Sequence, residues 1–440
     1  MADSQEASEA IVEKYSVHRF GAVAERNSAD YDRCSTWLQA VSHGFHQQRR
    51  EDEYVAATLA AYTADRRELT GVYVNGTTPE NALGADVPVG TYATMRKNLN
   101  IGFGRQLETN LVTAVTVRGT HRRHGILRGM ITADLAGAKD DGLAMAALTA
   151  SEGSIYGRFG FGVATFERSI KVDTGPRFRI RGTSVGTVEV ADPKVLLTVA
   201  PAVFQKVQAN APGSVDRQEY YRLVASGSIG QDGKPDPAVR SALHYDAAGQ
   251  VDGYVSYRFK GWDHKPYTME IVDMVAATHG GYLDLWRFLG SIDLIDEVTW
   301  EEAPVEDPLP WALEDPRCID SSDVRDMLWL RILDTKTALE ARKYAASDTL
   351  TVELTDPLGL AGGTFVLESK GDGTAVVNVA PGGAPDLTMD IADLGSIYLG
   401  AVSPVTLAAA GRIAENTPGS AFRAHQLFAV ERPAHCLTHF

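Results

Sequence analysis

Cysteine is nearly absent from this sequence: three occur in 440 residues, Cys34, Cys318 and Cys436, odd in number and far apart. A disulfide framework is therefore excluded as the basis of the fold, and a reducing compartment fits. The one metal-like spacing is His435-Cys436-Leu437-Thr438-His439. It lacks the second ligand pair that a structural zinc site needs, so no metal is expected. No apolar run approaches the roughly 18 to 20 residues that cross a bilayer. The first residues, Met1-Ala-Asp-Ser-Gln-Glu, are polar and acidic, without the basic and apolar regions of a secretory signal. A cytoplasmic protein without a membrane partner is expected. Bases are also in deficit, with 42 Lys and Arg against 57 Asp and Glu and a formal net charge of −15. A phosphate-backbone binder needs the opposite balance, so no nucleic acid partner is expected. Such a field suits cationic substrates, or serves only solubility.

What is present suggests several domains, because 440 residues exceed what one core usually organises. In a first segment, Tyr15–Phe20 reads as a strand, Cys34–Phe45 and Val55–Asp65 as helices, and Leu69–Asn75 as a strand. Asn110–Arg118 is a strand rich in β-branched residues. The helix after Gly119-Thr120 carries Leu127, Met130, Ile131, Leu135 and Ala138 on one face and stops at Asp141-Gly142. Ala144–Ala150 is a short apolar strand. The glycine run that follows, Gly153 to Gly162, does not have the spacing of a dinucleotide fingerprint. A second segment repeats this order with a strand at Thr268–Ala277 and helical spacing over Gly281–Asp293, but Thr278-His279-Gly280-Gly281 stands at its junction where the first has a basic loop. It is expected to bind no cofactor. Four prolines in the thirteen residues 304–316 mark a boundary. Beyond it lie a strand at Met327–Leu333, a helical stretch at Ala338–Ala345, and strands at Thr349–Leu354, Gly363–Leu367 and Ala375–Val379. Helical stretches at Ile391–Leu399 and Pro404–Ala410 complete the expected elements. The segments 1–173, 174–316 and 317–440 form an α/β (α+β) architecture with mixed sheets.

The junction Arg122-Arg123-His124-Gly125-Ile126-Leu127-Arg128, between strand and helix, suits a pyrophosphate. Amides at a helix N-terminus are unpaired and carry partial positive charge. Gly125 allows close backbone approach, and Arg123 and Arg128 add charged donors. Arginines oppose the helix dipole there, so their presence points to an anion.

Arg122-x-x-Gly125-x-Leu127 resembles the acetyl-CoA loop of the GNAT superfamily, usually Arg/Gln-x-x-Gly-x-Gly/Ala. The wider stretches Val115–Arg128 and Ala150–Gly162 resemble the Eis (enhanced intracellular survival) acetyltransferases of actinobacteria. So do Asp307–Leu313, Ala338–Arg342, Tyr398–Gly400 and Ala408–Gly411. This resemblance implies two tandem GNAT-like domains, the second degenerate, followed by a sterol-carrier-protein-like domain. It implies acetyl-CoA as cosubstrate, a polyamine or aminoglycoside acceptor, and a homo-oligomer, specifically a hexamer. Val115, Thr116 and Val117 would hydrogen-bond the pantetheine arm, a chain of amides that pairs naturally with a strand edge. Arg123, His124, Gly125, Ile126, Leu127 and Arg128 would hold the pyrophosphate, with Ser151 and Glu152 completing the cofactor contacts.

Tyr156 matches the family's general acid. A phenol with an ordinary pKa near 10 is protonated at neutral pH and can protonate a leaving thiolate. The family's general base is the C-terminal carboxylate, here Phe440, whose basicity burial would raise. An aromatic last residue can anchor the terminus in an apolar pocket. Three features depart from the family: His439 stands where an acid is common, His124 is the third basic residue of the loop, and Gly119 stands where proline is usual. Trp37 and Phe45 are acceptor-side guesses too weakly marked to assign. Transfer to protein lysines, and an apolar-ligand protein whose GNAT modules are scaffolds, are the alternatives.

Overall fold

The computed structural model describes residues 14–230, 232–263 and 265–440. Strand β1 (Tyr15–Gly21) precedes helices α1 (Ala29–Gly44) and α2 (Asp52–Ala64). The first helix starts five residues before the predicted Cys34 because the Ser28 side chain accepts from the Tyr31 amide at 3.1 Å and caps it. Strands β2 (Glu68–Val74), β3 (Gly90–Asn100) and β4 (Gln106–Val117) follow. Helix α3 (Ile126–Asp140) comes next, burying Met130, Ile131, Leu135 and Ala138 as its apolar spacing requires, with Ile126 buried and the predicted Leu127 only half-buried. Strand β5 (Met145–Thr149), the short helix α4 (Gly153–Tyr156) and strands β6 (Gly162–Val163) and β7 (Phe166–Asp173) close this part of the chain.

The next part runs β8 (Thr187–Ala191), α5 (Leu196–Gln208), α6 (Glu219–Ala225), β9 (Arg240–Tyr245), β10 (Val251–Phe259) and β11 (Thr268–Ala276). After it come α7 (His279–Gly290), β12 (Glu297–Pro304), α8 (Leu309–Ala312), β13 (Ile319–Asp326) and β14 (Leu328–Ile332).

Two seven-stranded sheets result, ordered β1-β2-β3-β4-β5-β14-β6 and β8-β9-β10-β11-β12-β7-β13 from one edge to the other. Position by position they match: each has one parallel pair, β4 with β5 and β11 with β12, joined by one helix, α3 or α7. The sixth position is exchanged. Strand β7, which follows the first unit, sits in the second sheet, and β14, which follows the second, sits in the first, between β5 and β6. The sequence predicts a strand at Met327–Leu333 but places it, with all residues from 317, in the third segment. That placement is corrected here, because β13 and β14 complete the two seven-stranded sheets. Propensity and alternation mark a strand, whereas its partner is set by long-range packing.

The third sheet, β17-β16-β15-β18-β19, is built from β15 (Asp348–Thr355), β16 (Gly363–Ser369), β17 (Ala375–Val379), β18 (Leu387–Asp390) and β19 (Ile413–Glu415). Helices α9 (Thr335–Ala341), α10 (Ile391–Ile397), α11 (Pro404–Ala409) and α12 (Ser420–Phe428) pack around it. Its core is continuous with that of the first sheet through Leu328, Leu330 and Ile332 of β14. Arg331 and Asp356, both with fully buried side chains, pair across the junction, with Nη2 at 2.8 Å from each carboxylate oxygen. Gly162 is required by close approach: a Cβ there would lie 1.8 Å from the Ala392 carbonyl oxygen on α10. The end of the glycine run thus serves domain packing. Gly162→Ala is expected to force the two backbones apart at a cost of about 3 kcal/mol, the upper end for overpacking. An unchanged urea midpoint would contradict this. Among the described residues no helix is long and apolar enough to cross a membrane.

Candidate active site

Strand β4 pairs with β3 along its length, from Gln106 to Val117. With β5 it pairs only over Asn110–Val112 against Ala146–Leu148. A bulge lies opposite Thr91–Ala93, with Ala114 at φ +52°, and it turns the strand away from its parallel neighbour. Beyond Val112 the two strands diverge. No strand of the described residues pairs with the β5-facing edge of Thr113–Val117.

The opening between them is a cavity of about 380 Å³. Val112 to Val115 line one limb and Thr149 to Ser151 the other, and Tyr156, Glu167, Arg325, Asp326, Met327, His439 and Phe440 close it. Phe45 also lines it, whereas Trp37 is fully buried elsewhere and donates to the Thr70 carbonyl at 2.8 Å. Tyr156 ends α4 and is 7% exposed. Its ring packs edge-on against Phe161, and its hydroxyl makes no hydrogen bond among the described residues. Burial, reinforced by the Glu152 carboxylate, holds its pKa above the ordinary 10, so the phenol is protonated at neutral pH. Phe440 reaches the same cavity from the far end of the chain: the Thr149 hydroxyl donates to its main-chain oxygen at 2.6 Å.

Past Val117 the chain makes a short turn at Gly119–His121 and enters α3 through Arg123 (φ +65°) and Gly125 (φ +77°), both left-handed. No side chain caps α3. The first-turn amides of Ile126, Leu127 and Arg128 therefore have neither an intrahelical nor a capping partner. Arg122, Arg123, His124 and Arg128 are exposed around them. Burial and the positive charges of Arg118, Lys14 and His124 depress the pKa of His121, marking a cationic environment. An unpaired strand edge ending at unpaired amides and cations fits an extended amide chain ending in a diphosphate. Ser151 faces the cavity, and Glu152 stands beside it at the start of α4. The Thr116 hydroxyl is turned to Thr91 at 2.7 Å, which leaves only its main chain for a ligand.

In the second sheet the equivalent helix start is occupied by the chain itself. The Thr278 hydroxyl accepts from the Gly281 amide at 3.1 Å and caps α7. The amides of Val185 and Gly186 donate to Asp284 of α7 at 3.0 and 3.2 Å. The buried His244 joins that carboxylate at 3.2 Å and Asp252 at 2.5 Å. The sequence reading expects no Gly-x-Ser-x-Gly nucleophile elbow anywhere in the chain, and that is corrected here, because Gly182 to Gly186 has this spacing. Ser184 donates to the Gly186 carbonyl at 2.8 Å, and both nitrogens of His244 face carboxylates, so no serine–histidine pair forms.

An acetyltransferase (GNAT) domain model matches residues 27–164, a second matches 213–332, and a sterol carrier protein domain model matches 335–437. An N-acetyltransferase of Streptomyces avermitilis is 34% identical over 410 residues, covering 91% of this chain and 93% of that protein. N-acetyltransferase Eis of Mycobacterium tuberculosis is 34% identical over 320 residues, 70% of this chain and 74% of that one. The chain belongs to the Eis family of GNAT N-acetyltransferases. The crystal structure of Eis1 from Mycobacterium abscessus superposes with a TM-score of 0.78 at 26% identity, covering 97% of this chain and all of that one. A GCN5-related N-acetyltransferase from Anabaena variabilis shares the fold, with a TM-score of 0.77 at 19% identity. This Eis-family chain is therefore an acetyltransferase of two GNAT domains and a sterol carrier domain, and GNAT domains use acetyl-CoA.

Several residues of the site carry no sequence signal. Thr149 sits two residues before Ser151 and could have been found by following the strand to its end. Glu167, Glu302, Arg325 and Asp326 could not, since the strand exchange brings them in from β7, β12 and β13. His435 and His439 part company: the ring nitrogens of His435 are buried and have no hydrogen-bond partner among the described residues, while His439 faces carboxylates. Among the described residues no group of three or more His, Cys, Asp or Glu is placed to hold a metal ion.

Proposed function

We propose that this enzyme transfers the acetyl group of acetyl-CoA directly to an amine of a bulky cationic acceptor of the aminoglycoside type. The observation that carries the proposal is that Tyr156, Phe440 and the diverging edges of β4 and β5 face one cavity. In this reading the edge at Val115, Thr116 and Val117 pairs with the pantetheine amides. Residues Arg123 to Arg128 hold the diphosphate, and Ser151 and Glu152 flank the thioester. The Phe440 carboxylate takes a proton from the acceptor nitrogen as that nitrogen bonds to the acetyl carbon. The carbon–sulfur bond breaks, and the Tyr156 hydroxyl supplies the proton to sulfur. Since a phenol is a weaker acid than a thiol, Tyr156 first stabilises the developing thiolate by hydrogen bonding. Asp326 and the nearby, partly exposed Glu302 give the cavity mouth carboxylates that suit a polyamine. The self-capped start of α7 supports one acetyl-CoA per chain.

Thiol release from acetyl-CoA in the presence of kanamycin-type amines tests the proposal. No release above the hydrolysis background with any such amine would overturn the acceptor class. The cofactor loop has its own test. Gly125→Ala places a Cβ on a left-handed residue, a strain of about 1–2 kcal/mol. If binding holds the loop in that form, the acetyl-CoA dissociation constant should rise roughly tenfold in calorimetry. An unchanged constant would remove Gly125 from the site. Assembly into a hexamer belongs to the same reading and is measured by sedimentation.

A further inference from the structure

The last six residues run between the two acetyltransferase domains. The His435 amide donates to Pro212 O at 2.9 Å, the Thr438 hydroxyl to Val215 O at 3.0 Å, and Arg217 Nη2 to Leu437 O at 3.3 Å. The His439 amide donates to the Tyr221 hydroxyl at 2.5 Å. These anchors all come from residues 212–221 of the second domain, whereas Phe440 must reach Thr149 in the first. At the crossing stands the His439 ring. Its Nε2 lies 3.0 Å from Glu167 Oε2 on β7 and 3.6 Å from Glu302 Oε1 on β12. The Glu167 side chain is 1% exposed, and its other oxygen accepts from Arg325 Nε on β13 at 2.6 Å. A carboxylate so buried needs partners, and in this chain a cation of the C-terminal segment is one of them.

We propose that His439, as an imidazolium spanning Glu167 and Glu302, is a positioning residue that holds the Phe440 carboxylate against the cavity. The inference rests on the reading of Phe440 as general base. A carboxylate at this position would meet two others at close range, whereas an imidazole can bridge them. Burial alone would push the imidazole pKa down, but the hydrogen bond to Glu167 and the charges of Glu302 and Glu167 outweigh both that and the repulsion of Arg325, and the net shift is upward. Beside it, Tyr221 and His435 are neutral at working pH, since burial pushes the Tyr221 phenol well up and takes His435 down to about 4, and the Phe440 carboxylate is the neighbouring charge on its own segment. A raised folded-state pKa means that the clasp is complete below the ordinary 6.5 and is lost as pH climbs through the raised value.

The experiment compares wild type, His439→Gln, His439→Lys and a chain extended by one glycine after Phe440, each from pH 6 to 9.5. The first readout is acetyl transfer; the second is the rate at which carboxypeptidase removes the terminal residue, normalised to a free peptide of the same ending. Wild-type kcat relative to His439→Lys should fall several-fold as pH climbs through the raised pKa of His439, because lysine keeps its charge over this range. His439→Gln should lower kcat roughly tenfold, consistent with a small displacement of a reacting group, while KM for acetyl-CoA holds. Its terminal residue should be trimmed several-fold faster than that of wild type at pH 6. A His439→Gln enzyme with the wild-type pH profile and trimming rate would overturn the inference. The extended chain separates this from the underlying reading. Loss of activity on extension with an unaffected His439→Gln sinks only the role of His439. Full activity on extension sinks the base assignment, and with it the catalytic purpose of the clasp.

Discussion

Tyr156→Phe is expected to lower kcat by about 10²- to 10³-fold, the range for removing a positioned general acid. KM for acetyl-CoA should change little. The substitution deletes one oxygen and keeps the ring, so the edge-on contact with Phe161 and the surrounding core of Tyr92, Ile126 and Leu148 are retained. The hydroxyl has no partner among the described residues, so its loss leaves no buried donor or acceptor stranded. Stability should be unaffected, which makes the loss in rate attributable to chemistry. The pH profile adds a second constraint. Because burial and Glu152 hold the phenol above its ordinary pKa, wild-type activity should not decline through titration of this group below pH 10. A loss of less than tenfold, measured as free thiol, would remove Tyr156 from the role of acid.

Adding one glycine after Phe440 should be comparably damaging. The addition moves the carboxylate by up to about 3.5 Å, the span of one extended residue, and puts a neutral amide in its place. The anchors at His435, Thr438 and His439 are left in place, so the segment should still thread between the domains. A loss of base and position together predicts a kcat lowered about 10²- to 10⁴-fold. Deleting Phe440 should be at least as severe, because it also removes the ring that packs against the core beside Thr149. Thermal unfolding of both variants near the wild-type midpoint would confirm that the fold survives. Retention of more than a tenth of the activity in both would exclude the terminal carboxylate as base.

Local information made part of this architecture legible. The stripe from Leu127 to Ala138 marks α3 because helix periodicity is written in neighbouring residues, and the buried face agrees with it. The β-branched run Asn110–Arg118 marks β4, and the glycine and arginines after it mark the turn into α3. What neighbouring residues do not encode is partnership. Leu328–Ile332 reads as a strand from its own composition, but nothing in it says that the partners are Met145–Thr149 and Gly162–Val163. The same holds for Glu167, Glu302 and Arg325, which converge on His439 only because β7, β12 and β13 are neighbours in one sheet. The early start of α1 is a smaller case, since a single serine hydroxyl decides it.

The exchanged sixth strands also bear on how the chain is made. Strand β5 waits for β14, which leaves the ribosome about 180 residues later. At roughly 5–20 residues per second, elongation leaves the nascent first domain with an open, apolar sheet edge for on the order of ten seconds or more. Such an edge is a template for mispairing. Slow translation or chaperone shortage should therefore harm the yield of this protein more than its final stability would suggest.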